Sequence, residues 1–201
     1  MKRIVKDPVV RKMELIEAAE SLFAKKGYED TAVSDIVKKI KVGQGTFYYY
    51  FKSKENILEA VAEKIVAPYA EDVRNIAKGN ENPATKVNSI LNSILKANDP
   101  DLGIMKLLHQ KGNYLLHQKV EKALEAGISP IVTEVLSKGI AEGTFNTEYP
   151  GESFEFLLAS TLVLSHNFSW NHESREKMRS ALEEITARVL GVTDYRFHLE
   201  I

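Results

Sequence analysis

Along nearly all of this chain, apolar residues return at intervals of three and four, and no alternating β-branched run interrupts them. That period belongs to helices with one buried face, so the pattern predicts an all-α fold. The first helix opens at Asp7 as N-cap with Pro8 in its first turn and carries Met13, Leu15, Ile16, Ala19, Leu22 and Phe23 inward. It stops at Gly27. A short second helix shows one stripe, Val33, Ile36, Val37 and Ile40, and a third runs from about Gln44 to Phe51. Ser53 is placed to cap a much longer helix from Lys54, bearing Ile57, Leu58, Val61, Ile65 and Val66, which Pro68 must kink or end. Two further openings, Asn82-Pro83 and Asp99-Pro100, start separate helices. Asn113 to Gly143 reads as a helical stretch interrupted near Gly127 and Pro130, and the last helices span Gly151 to about Phe168 and Glu173 to about Leu190. The tail from Gly191 fits no element.

The third helix is unusual in content: "VGQGTFYYYFKSKENI" crowds three tyrosines between two phenylalanines. At about 100° per residue, Phe47 and Phe51 share a face and Tyr49 points away from it. Gln44, Thr46, Tyr48 and Tyr49 then form an outward face able to hydrogen-bond phosphates or base edges, and Gly45 permits close approach to a surface. Two short helices joined by a tight turn, the second presenting such a face, form the helix-turn-helix pattern whose second helix enters the major groove. The competing reading has the tyrosines half-buried with their hydroxyls reaching water. Three in a row cannot all face one core.

Charge sharpens this picture. From Met1 to Lys54 there are twelve Lys and Arg against seven Asp and Glu, a net of +5, which leaves −6 for the remainder of a chain whose total is −1. A basic head on an acidic body suits a polyanion-binding module joined to something else. With 201 residues and no cysteine, disulfide and thiolate chemistry are excluded, and a metal would need His, Asp and Glu alone. No metal or cofactor is expected. The start of the chain lacks a signal-peptide pattern and the most apolar run, Phe154 to Leu164, is too short to span a bilayer, so a cytoplasmic protein without membrane association is expected. An enzyme finds no support: there is no HExxH and no phosphate-cradling glycine loop, and His109 and His117 are separated by an expected break at Gly112. A purely structural helical adaptor leaves the basic, tyrosine-rich helix unexplained.

Thr31, Ile36, Val42, Gly45, Tyr48, Tyr50, Phe51 and Lys54, followed by Ile57 or Leu58 and preceded by "AAESLFAKKGYEDT", make the region from Glu14 to Leu58 resemble the tetracycline-repressor (TetR) family of bacterial transcription regulators. Beyond that region the likeness rests on length, helical character and the turn "GIAEGTF". Two positions depart from the family pattern: Ile40-Lys41 stands where Ala-Gly is usual, and Gly43 where a serine caps. If the turn needs a positive φ at Lys41, the strain is roughly 1 kcal/mol.

The resemblance implies a helix-turn-helix head over residues 1–53 and an effector-binding, dimerising body over residues 54–201. It implies that Gln44, Thr46 and Tyr48 lie nearest the bases, with Tyr49, Tyr50, Lys52 and Lys54 on phosphates and Ser34 in reach of either. On that footing Lys54→Ala should flatten the salt dependence of binding. A minor-groove arm of Lys2, Arg3 and Lys6 competes with a disordered basic terminus. The helix from Glu152 is apolar nearly all round, and its successor is amphipathic. Pairing both with their copies, through Leu157, Leu158, Leu162, Phe168, Met178, Leu182, Ile185 and Val189, gives a homodimer. Such a dimer would read a near-palindromic double-stranded DNA operator. The implied activity is repression relieved by a small-molecule effector, for which Asn92, His109, Asn113, Tyr114, His117, His166, Asn167 and Trp170 are the candidate lining residues.

Overall fold

The computed structural model describes residues 7–97, 107–167 and 172–200. The expectations for Lys2, Arg3, Lys6, the Asp99-Pro100 cap, Phe168 and Trp170 fall outside these residues, as do those for the side chains of Leu162, His166 and Asn167. Among the described residues all regular structure is helical, as the periodicity predicts: α1 (Pro8–Lys26), α2 (Val33–Lys39), α3 (Gln44–Tyr50), α4 (Lys54–Lys78), α5 (Pro83–Ala97), α6 (Tyr114–Ala141), α7 (Pro150–Asn167) and α8 (His172–Leu190). The chain forms two compact units, divided after Val66 within α4 and after Ala123 within α6.

The first unit holds α1 to α3, the first half of α4 and the start of α6. Asp7 caps α1 by accepting Val9 N–H at 2.8 Å and Val10 N–H at 3.4 Å. Leu15, Ile16, Ala19 and Phe23 pack inward, but Met13 does not: it is 41% exposed, because the buried stripe of α1 begins only at Leu15. Gly27 ends the helix at φ 85°, and a Cβ there would stand 2.6 Å from the Lys111 carbonyl oxygen, so both the conformation and the close approach require glycine. In α2, Ile36 and Val37 are buried, and Asp35 accepts the Ala32 N–H at 3.0 Å and binds Lys26 at 2.6 Å. Lys26 holds the Asp35 carboxyl below its ordinary range.

The turn into α3 passes through Lys41 at φ 58°, the left-handed conformation that glycine tolerates best. Lys41→Gly is expected to stabilise the head by up to about 1 kcal/mol, read as a higher thermal midpoint; an unchanged or lower midpoint would show that the turn carries no strain.

The second unit holds the rest of α4, α5, the rest of α6, α7, α8 and the tail. Asn82 caps α5 by accepting Thr85 N–H at 2.9 Å, and Val87, Ile90, Leu91 and Ile94 fill its inner face. Two expected interruptions are absent: α4 continues as helix through Pro68, and α6 through Pro130. Both prolines lie on exposed faces, where the carbonyl each leaves unpaired can be hydrated. The unplaced tail is an irregular segment held by side-chain amides. Asn88 exchanges two bonds with the His198 main chain (2.7 and 3.1 Å), while Asn92 donates to the His198 carbonyl at 2.9 Å and accepts Glu200 N–H at 2.9 Å. Glu183 accepts Leu199 N–H at 2.8 Å, and Phe197 and Leu199 are buried.

Candidate nucleic-acid interface

The exposed face of α3 is built from the inside out. Phe47 and Phe51 are buried, their rings 5.7 Å apart, and they fix the roll of α3. With those two inside, Tyr48 is 56% and Tyr49 77% exposed, alongside exposed Gln44 and Gly45 and half-exposed Thr46 and Tyr50. Tyr48 stands edge-on to Phe47 at 5.3 Å and Tyr50 edge-on to Tyr49 at 4.8 Å, so the outer rings lean on their neighbours. A Cβ on Gly45 would meet nothing within 4 Å. Gly43 caps the helix in extended conformation, its carbonyl accepting Thr46 N–H at 2.9 Å. Ser34, on the first turn of α2, is exposed, as are Lys38, Lys39, Lys41 and Lys52. The residues grouped on angular grounds therefore do share an open, basic-flanked surface.

Lys54 behaves differently from the expectation of a phosphate-seeking side chain. Its ammonium donates to the Glu29 carbonyl at 3.1 Å and lies 4.1 Å from the centre of the Tyr28 ring. Burial pushes its pKa down, and burial likewise raises that of Tyr28. The placement has a plain cause: α4 starts so close to the α1–α2 connection that a long cation there finds a carbonyl and an aromatic face within the head. Tyr28 was not anticipated as part of this arrangement; its place just after the Gly27 stop is the signal that points to it.

The start of α6 is tied into the same unit by two further devices. Asn113, fully buried, accepts Tyr28 N–H at 2.7 Å and donates to the carbonyls of Phe23 at 3.0 Å and Leu107 at 2.8 Å. Lys119 bridges Glu55 at 2.8 Å and Glu59 at 2.7 Å. The hydrogen bonds that Lys119 donates to Glu55 and then to Glu59 raise its pKa, and the Lys119 contact holds the Glu59 carboxyl below its ordinary range.

These contacts redistribute the effector candidates. Asn113 is a clasp rather than a lining residue, since its amide is consumed by the backbone of the head unit. Tyr114 is exposed on α6 and its hydroxyl accepts from Gln118, while Asn92 is occupied by the tail. His109 and His117 stand edge-on at 5.6 Å within the first unit, with His117 3.8 Å from Glu121. In the second unit a small apolar cavity of about 10 Å³, room for no more than a single water, lies among Tyr69, Val73, Ile94, Leu124, Ile128 and Leu158. Among the described residues no cluster of metal-ligating side chains occurs, and no helix is long and apolar enough to cross a membrane.

The residues expected at the dimer face differ in exposure within the chain. Leu157, Leu158 and Leu182 are buried in the chain's own core, whereas Phe156, 74% exposed, and Ile185 face outward; Met178 and Val189 are half-buried. A helix apolar on every side, as α7 is, gives no phase from which to choose the outward residues.

Comparison with known proteins agrees with this anatomy. Residues 15–61 match the family model described as "Bacterial regulatory proteins, tetR family", and residues 96–185 match "Tetracyclin repressor-like, C-terminal domain". The Fatty acid metabolism regulator protein of Bacillus subtilis is 32% identical over 136 residues, covering 65% of this chain and 69% of that protein. A TetR/AcrR-family regulator from Thermobifida fusca superposes with a TM-score of 0.62 at 25% identity, covering 93% of this chain and 99% of that one. The regulator FadR from Bacillus subtilis, solved in complex with stearoyl-CoA, superposes with a TM-score of 0.58 at 24% identity over 89% of this chain and 95% of its own. Members of this family bind DNA operators, form dimers and bind small-molecule effectors. The chain belongs to the tetracycline-repressor family, and is a transcriptional regulator rather than an enzyme.

Proposed function

We propose that the protein is a homodimeric repressor whose α3 reads a near-palindromic operator and whose body releases DNA on binding an apolar small molecule. The observation that carries the DNA half is the split of α3 into an anchored and an offered side: Phe47 is fully buried while Gln44, Tyr48 and Tyr49 are exposed. Gln44 can pair bidentately with adenine and the Thr46 methyl can touch that of thymine, which favours A/T positions in each half-site. Tyr49, Tyr50, Ser34 and Lys52 serve phosphates. Phe156 and Ile185 support dimerisation through α7 and α8, since each is a large apolar side chain left open on a helix with one side already buried.

The effector half is supported by the Bacillus subtilis relatives, one named for fatty acid metabolism and one solved with stearoyl-CoA. A ligand acts on DNA binding only through its different affinities for two arrangements of the body.

Binding of duplex fragments selected from genomic DNA, followed by fluorescence anisotropy across salt concentrations, tests the reading. Lys52→Ala is expected to flatten the slope of log K against log salt by ~0.9, the loss of one phosphate contact. Lys54→Ala is expected to leave that slope unchanged and to lower the thermal midpoint through loss of a ring and carbonyl contact worth about 1 kcal/mol. Wild-type protein that ignores every duplex at low ionic strength would end the proposal.

A further inference from the structure

We propose that Lys41, in the turn between α2 and α3, is a further DNA-contacting residue: its ammonium meets a backbone phosphate, and with Lys38 it extends the interface along α2. The inference rests on the reading of α3 as the helix that meets DNA. It adds to that reading a residue that lies on neither helix.

Main-chain bonds fix where position 41 stands. Its N–H donates to the Lys38 carbonyl at 3.2 Å, and the next N–H, that of Val42, reaches the Val37 carbonyl at 2.9 Å. Ile40 and Val42 are half-buried on either side, and Lys41 between them is exposed. A residue held in this way takes φ 58°. Any side chain with a Cβ is carried there at a cost in stability that glycine does not incur.

Charge adds a second cost. From Val33 to Ser53 the chain has four lysines, Lys38, Lys39, Lys41 and Lys52, against a single carboxylate, Asp35. That carboxylate is already held by Lys26, and Lys39 donates to the Ser21 hydroxyl. Among the described residues no ion pair engages Lys38, Lys41 or Lys52. Lys38 and Lys41, one turn apart, therefore repel each other in the free head, and a polyanion relieves that repulsion. Glycine at position 41 would remove both costs, so stability does not account for the lysine. Strain held beside a binding surface is accounted for by what the surface binds.

The neighbours indicate the occupant. Ser34 and Lys38, four apart on α2, are both exposed, Lys41 follows in the turn, and Gln44 opens the outward face of α3 three residues later. Standing before α3 rather than on its outward face, Lys41 is placed for phosphates at the rim of the groove and not for base edges. It adds affinity without sequence preference.

Fluorescence anisotropy of the full-length protein tests this, on a duplex selected from genomic DNA and on an unrelated duplex of equal length, across salt concentrations and with thermal melts alongside. Lys41→Asn removes the charge and keeps a residue that tolerates the left-handed φ. It is expected to flatten the slope of log K against log salt by ~0.9, to weaken both duplexes by the same factor, and to hold or raise the thermal midpoint. Lys41→Gly is expected to do the same with a higher midpoint, and Lys41→Arg to keep the wild-type slope. Lys38→Ala combined with Lys41→Asn is expected to lose ~1.8 from the slope. Lys138→Ala removes the same charge from the second unit and is expected to leave the slope as it is. A folded Lys41→Asn with the wild-type slope, or a Lys138→Ala that flattens it equally, overturns the contact. A loss of slope confined to Lys41→Gly overturns it too, since that result points to a loosened turn. In each of those cases Lys52→Ala still flattens the slope and the DNA reading of α3 stands, whereas wild-type protein that ignores both duplexes sinks that reading and this inference with it.

Discussion

Asn113→Ala is expected to lower the thermal unfolding midpoint by on the order of 10 °C. The side chain is fully buried and spends three of its hydrogen-bonding valences on backbone groups of Tyr28, Phe23 and Leu107. Alanine leaves the buried Tyr28 N–H without a partner, at about 1–3 kcal/mol, and takes one of two hydrogen bonds from each of the Phe23 and Leu107 carbonyls, which still accept the Gly27 and Gln110 N–H, for a total of roughly 3–5 kcal/mol. A chain of this size loses about 2–4 °C per kcal/mol. Asn113→Asp serves as the control: a carboxylate still accepts from Tyr28 but meets the two carbonyls with lone pairs, so it is expected to be no better than alanine. Calorimetry with both variants decides the matter. A midpoint within about 2 °C of wild type would mean that the clasp is replaceable by water or by local repacking.

Gly45→Gln is expected to separate folding from DNA binding more cleanly than any other change on α3. In the free protein a Cβ at this position meets open space, and replacing glycine inside a helix adds about 0.5–1 kcal/mol of stability. The same side chain would project from the exposed face between Gln44 and Thr46, where a groove floor or phosphate must come close. Affinity for the operator is therefore expected to fall about 100-fold, ~2.7 kcal/mol, while the thermal midpoint holds or rises. A variant that binds duplex as tightly as wild type would remove this face from the groove. Loss of binding together with loss of stability would instead point to a fold defect.

What the sequence revealed and what it hid follow the range of the interactions involved. Caps are local, so Asp7, Ser53 and Asn82 were readable from the residues that follow them, and each accepts the N–H expected of it. The roll of α3 was readable because Phe47 and Phe51 are four apart and leave the tyrosines no choice. The positive φ at Lys41 was legible as a departure from a family pattern. Long-range partners were not. Nothing near Asn113 in the chain announces that its amide closes on residues some ninety positions earlier. Lys54 has the right residue type for a phosphate contact, and only the proximity of Tyr28 and Glu29 redirects it. The two internal prolines were read as breaks because sequence does not say which side of a helix faces water. The same ambiguity of phase leaves the outward residues of α7 unreadable, and Leu157 and Leu158 are buried within the chain.

The amide-held tail sets an alternating tolerance at the carboxyl end of the protein. Asn88 and Asn92 grip main-chain atoms of residues 198 and 200, which any amino acid other than proline supplies equally. The intervening side chains of Phe197 and Leu199 fill the interior. His198 and Glu200 can therefore drift freely in related chains while their neighbours stay large and apolar, leaving a two-residue rhythm in an otherwise helical protein.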